Sequence, residues 1–229
     1  MNCKSVLYGA YCSQCGQQEA LPMTFGRFFD DTKNRLRRLD FSWPRTFLAL
    51  STDPGRMVRR YLTGRRKPYT PPPLYALTTS TVLTFVVLSL LEGAAVSPMT
   101  PWHFPQGSRH TLAVVLAIYG SLAATLGVAF LQRFLYRSAE RGLLETWIFG
   151  LYLFGHLCLF QVLFALIGAF ASAVGLVALG LAVVLVLAFG LAGFYRQAVL
   201  RAAPAALILG STYIASLFVV SALIRIALF

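Results

Sequence analysis

TWIFGLYLFGHLCLFQVLFALIGAFASAVGLVALGLAVVLVLAFGLAGF, residues 146–194, decides the fold. Its forty-nine residues include no Asp, Glu, Lys or Arg. A hydrocarbon core of about 30 Å takes roughly 20 apolar residues of helix, so this run is too long for one span and suits two. The small residues Ala171, Ser172 and Ala173, beside Gly175, place a tight hairpin between spans at 146–170 and 174–194. Three further stretches have the same length and character: 75–96, 111–131 and 204–224. The sequence therefore predicts an all-α, polytopic transmembrane helical bundle of about five spans.

Composition points the same way. The chain has 229 residues, 57% hydrophobic and 12% charged, with mean hydropathy +0.67. Soluble domains carry about 25% charged residues. The net charge of +12 is uneven: residues 1–74 hold thirteen of the twenty Lys and Arg, and beyond them lie seven Arg and no Lys. Three parts follow: a cysteine-bearing segment at 1–20, a basic helical segment at 21–74 and a membrane domain at 75–229. No apolar stretch long enough to matter precedes about residue 74, so the first span is expected to act as its own insertion signal.

Basic residues in short loops set orientation. With the N-terminus in the cytosol, eighteen Lys and Arg fall inside, leaving Arg109 and Arg225 outside. Five spans then put the C-terminus outside. Four spans, with the C-terminus inside, are the alternative, and Arg225 at the outer edge is expected to snorkel to the interface.

Between the cysteines and the first span two helices are expected. TFGRFFDDTKNRLRRLD, residues 24–40, sets Phe25, Phe28, Phe29, Thr32, Leu36 and Leu39 at helical spacing, with Thr24 as N-cap. The second is delimited by Asp53 as N-cap, Pro54 at its first position and Gly64 at its stop. Met57, Val58, Tyr61 and Leu62 share one side of it and Arg56, Arg59 and Arg60 the other. Such an amphipathic helix is expected to lie in the interface plane and, with Arg65, Arg66 and Lys67, to contact anionic lipid. Prolines in RRKPYTPPP, residues 65–73, predict an extended spacer into the first span.

Cys12-Ser13-Gln14-Cys15-Gly16 has the form of a zinc knuckle. Two thiolates three residues apart can hold one tetrahedral ion, and Gly16 lets backbone amides turn toward the sulfurs. A structural zinc site needs four ligands, and Cys3 is a third nearby. A degenerate knuckle that binds no metal is the other reading.

Two patterns in the first 80 residues resemble an uncharacterised bacterial family of polytopic membrane proteins, a domain of unknown function. Leu7, Gly9, Tyr11, Cys12, Cys15, Gly16 and Gln17 fit a double knuckle, CxxCGxxLxGxYCxxCGQ. Thr46, Phe47, Leu50, Pro54, Gly55, Arg59, Tyr61, Leu62, Gly64, Arg66, Tyr69 and Pro72 fit TLxxLxxxPGxxxRxYLxGxRxxYxxP, with Phe47 in place of Leu. The resemblance implies a zinc-ribbon-like head and the bacterial inner (cytoplasmic) membrane, and no activity. By its spacing Cys3 is the second cysteine of a first pair, with Lys4 where glycine is expected. Either the fourth ligand lies upstream of the assigned start or it has been lost.

Ionisable residues within spans are functional candidates. Glu145, Tyr152 and His156 share a face of the third span at spacings of seven and four. They suit proton relay or ion binding, or hydrogen bonding to a neighbouring helix. No GxxxxGK[ST], HExxH, GxSxG or glycine-rich dinucleotide turn is present, so no enzyme and no catalytic residue are expected. Basic residues crowded beside a span favour membrane over nucleic acid. The expected role is a membrane-embedded binding or scaffold protein, partnered by another protein or by itself. The alternative is a small transporter or channel subunit using the Glu145, Tyr152, His156 stripe.

Overall fold

A computed structural model describes residues 13–14, 23–38, 42–93, 108–167 and 173–228, with 91–93, 108–111, 113, 173, 176 and 216–228 described by backbone alone. Helix follows helix: α1 (Phe25–Arg38), α2 (Trp43–Thr52), α3 (Pro54–Leu62), α4 (Pro72–Gly93), α5 (Ser108–Leu135), α6 (Leu143–Leu166), α7 (Ala173–Tyr195) and α8 (Val199–Leu228). No strand occurs among the described residues. The all-helical expectation holds, and the long apolar run divides into α6 and α7; the hairpin predicted between them lies largely outside the described residues.

Among the described residues, four helices are long and apolar enough to cross a membrane: Pro72–Leu90, Val114–Leu135, Leu143–Leu166 and Val177–Tyr195. The fifth predicted segment lies inside α8, whose stretch with described side chains, Val199–Ala215, is apolar and shorter than a span. Pro204 sits inside α8 rather than starting it.

α6 is the axis. Ile148, Tyr152, Leu153 and His156 are all at most 2% exposed, and α4, α5 and α7 pack around it, with α8 between α5 and α7. The outer surface is apolar, with Phe85, Phe130, Leu181 and Phe189 more than half exposed. Several hydroxyls and an amide point inward: Thr79, Thr84, Ser121, Thr125 and Gln132 are buried. Apolar outside and polar inside is the arrangement a lipid solvent selects. Several buried hydroxyls bond back into their own helix, as Thr79 does to the Tyr75 carbonyl at 2.9 Å and Thr84 to Ser80 at 2.8 Å. Others join helices: Trp147 donates to Thr125 at 3.1 Å, Gln132 to Tyr195 at 3.2 Å and Gln161 to Tyr213 at 3.3 Å.

α4 and α6 are staggered. Gly155, twelve residues into α6, faces Tyr75, Ala76 and Thr79, only three to seven residues into α4. At 1.5 Å per residue α4 starts about 12 Å further along than α6. The notch this leaves beside α6 is filled by α2, α3 and the loop 65–71. Pro72 is the first residue of α4 rather than the end of an extended spacer, because a missing N–H costs nothing in a first turn.

Candidate functional site

The residues that fill the notch form a joint between the N-terminal helices and the bundle. Thr46 of α2 is fully buried and accepts a hydrogen bond from the Thr70 amide at 2.8 Å. The carbonyl of the same Thr70 accepts from the Tyr152 hydroxyl at 2.6 Å. Tyr75 of α4 meets Nδ1 of His156 at 3.3 Å, and Phe47 of α2 lies against the imidazole with ring centroids 5.5 Å apart. Tyr152 and His156 are thus both engaged by groups from α2, α4 and the loop. Glu145 lies apart from them. It is about one third exposed and pairs with Arg141 at 3.2 Å.

α1 closes the joint from outside. Thr24 caps it through the Arg27 amide at 3.4 Å. Asp31 accepts from Arg35 at 3.1 Å and from the Tyr61 hydroxyl at 3.3 Å. Arg35 also donates to the carbonyls of Arg66 at 2.9 Å and Tyr69 at 2.8 Å, which fixes the loop. Burial first, and then the Asp31 carboxylate, push the Tyr61 hydroxyl well above its ordinary range, so it stays a donor. Of the predicted apolar stripe on α1, Phe28 is buried beside Trp147, while Phe25, Phe29 and Leu36 are about half exposed.

α3 forms as its sequence dictates. Asp53 accepts from the Arg56 amide at 2.8 Å, Pro54 opens the helix, and Gly64 takes φ 102° just past its end. It does not lie free on a surface. Met57, Val58 and Tyr61 are buried, and Gly55 comes so close to α7 that a methyl group there would overlap the backbone of Gly193 and Phe194. Arg56, Arg60, Arg65 and Lys67 point outward, while Arg59 and Arg66 are half-buried.

Next to this contact stand two basic residues that sequence reasoning used only for orientation. Arg141 stacks over the Phe194 ring, 5.0 Å from its centroid. Arg196 follows the end of α7 at φ 55°. The signal for Arg141 was Glu145 one turn later; nothing in the sequence marked Arg196. Burial first, and then the charge of Arg196, hold the Arg59 guanidinium below its usual range, with Asp53 opposing. Cys3, Cys12 and Cys15 lie outside the described residues. Among the described residues no group of three metal-ligating side chains forms.

Residues 44–84 match the sequence profile of a family described as a protein of unknown function, DUF3667. That stretch covers nearly all of α2, all of α3 and the loop, which fill the notch, and the first half of α4. No curated protein and no solved structure matches the chain.

Proposed function

We propose that this chain is a multi-pass protein of the bacterial inner membrane that acts as a membrane-embedded binding or scaffold protein, its N-terminal helices held at the cytosolic face. The observation that carries this reading is the joint. Tyr152 and His156, two buried polar groups of α6, are engaged by Thr70, Tyr75 and Phe47. Those contacts join α2 and the loop 65–71 to the bundle. The same packing leaves Arg56, Arg60, Arg65 and Lys67 exposed on one end of the molecule. Each basic residue near an anionic leaflet contributes about 1 kcal/mol, so this face favours acidic lipid.

The test uses full-length protein in nanodiscs of mixed anionic and zwitterionic phospholipid, with retained lipid quantified after purification. Anionic lipid should be enriched over the bulk mixture. Replacing Arg60, Arg65 and Lys67 together by Gln should lower that enrichment toward the bulk ratio; unchanged enrichment would sink the lipid contact. An ion conductance in proteoliposomes that His156→Ala abolishes would move the assignment to a small transporter or channel subunit.

A further inference from the structure

Four guanidinium groups gather where α3 meets the end of α7. Arg56 is matched by Asp53 at 3.0 Å and Arg141 by Glu145 at 3.2 Å. Arg56 and Arg141 therefore each have a carboxylate partner already. Arg59 sits one turn after Gly55, the residue that touches the Gly193–Phe194 backbone, and its Nη1 is shielded from solvent with no acceptor among the described residues. A shielded guanidinium nitrogen without an acceptor is costly to keep.

Arg196 adds a second anomaly. The Gln197 amide bonds to the Ala192 carbonyl at 3.0 Å, closing α7 with a Schellman turn whose left-handed position is Arg196, at φ 55°. Glycine is the usual occupant because it has no Cβ to strain. An arginine here brings a further positive charge next to Arg59 instead of the residue the backbone favours. Arg141 is fixed beside them by its stacking on Phe194.

We propose that Arg59, Arg141 and Arg196 form a binding site for a phosphate group, with Arg59 Nη1 as its innermost donor. Guanidinium forks pair bidentately with phosphate oxygens, and one such group supplies the acceptor that Arg59 lacks while offsetting the excess charge. The site lies at the end of the span-capable helices that also carries the head. A phospholipid headgroup and a free phosphate share the required chemistry. This is a discrete site, separate from the diffuse surface contact of Arg60, Arg65 and Lys67, and it does not depend on that contact.

Full-length protein in an uncharged detergent is titrated with inorganic phosphate and, separately, with short-chain phosphatidylglycerol while its unfolding temperature is followed. Sodium chloride at matched ionic strength and short-chain phosphatidylcholine are the comparisons. A saturable rise with phosphatidylglycerol alone assigns a lipid headgroup; a rise with phosphate assigns a free anion. Arg59→Gln and Arg196→Gly should each weaken that response by at least about tenfold. Arg196→Gly should keep or raise the unliganded unfolding temperature, because glycine relaxes the left-handed turn, so lost binding is not lost folding. The triple Gln variant at Arg60, Arg65 and Lys67 should keep the saturable response within about twofold, since independent sites act additively. No response in either arm beyond the comparisons, or wild-type affinity in both Arg59→Gln and Arg196→Gly, overturns the site.

Discussion

Gly55 illustrates how much one hydrogen atom can decide. A methyl group there would also lie 2.5 Å from the Gly190 carbonyl oxygen, so Gly55→Ala must push α3 off α7. Overpacking of this kind costs about 1–3 kcal/mol or more, to be read as a lowered unfolding temperature in detergent. Gly127, exposed on α5 with nothing near its would-be methyl, is the contrast. Gly127→Ala should change stability by no more than about 1 kcal/mol, toward a better helix. Tyr152→Phe tests a buried bond instead: it strips the Thr70 carbonyl of its donor, for a cost of about 1–3 kcal/mol. A Tyr152→Phe protein as stable as the parent would mean that the joint contributes nothing. Little at this scale was legible in advance. Gly55 stood in a recognised pattern, but the pattern does not say what passes within touching distance of it. Tyr152 and His156 were marked by being polar in an apolar run, and the run does not reveal that α2 and the loop supply their partners.

At the level of elements, local chemistry was most readable where it is self-contained. Asp53, Pro54 and Gly64 delimit α3 because caps and φ preferences depend on a few neighbouring residues. Asp53→Ala should therefore cost about 1 kcal/mol through its lost bond to the Arg56 amide, measured by thermal unfolding. The length of α8 raises a different question. Its backbone runs 30 residues, about 45 Å at 1.5 Å per residue, beyond the roughly 30 Å of a hydrocarbon core. A periplasm-active reporter fused after Phe229 should be active if α8 crosses, and a silent reporter would give a chain of four spans. The face that α3 would bury was readable from its apolar side. What it packs against was not, because α7 lies more than a hundred residues later in the chain.

For the molecule as a whole, the joint implies that α1–α3 and the bundle unfold together. Arg65 and Arg66 stand in a loop whose backbone is tied by Arg35 on one side and Tyr152 on the other. Trypsin should spare the bonds after them until the bundle itself melts, and Tyr152→Phe should bring cleavage forward to lower temperature. Early cleavage in the parent protein would show a head that moves independently. The sequence by itself determined the solvent, the helical class and the division into basic head and apolar body. These follow from burial energies summed over twenty residues at a time, and such sums do not depend on which neighbour a helix meets. Only the tertiary structure decided that α4 starts part way along α6, that residues 44–71 fill the resulting notch, and that Arg59 comes within reach of the charges of Arg196 and of Arg141, which stacks on Phe194. Those outcomes depend on stagger and close approach between segments far apart in the chain, and a single glycine or tyrosine at the contact sets them.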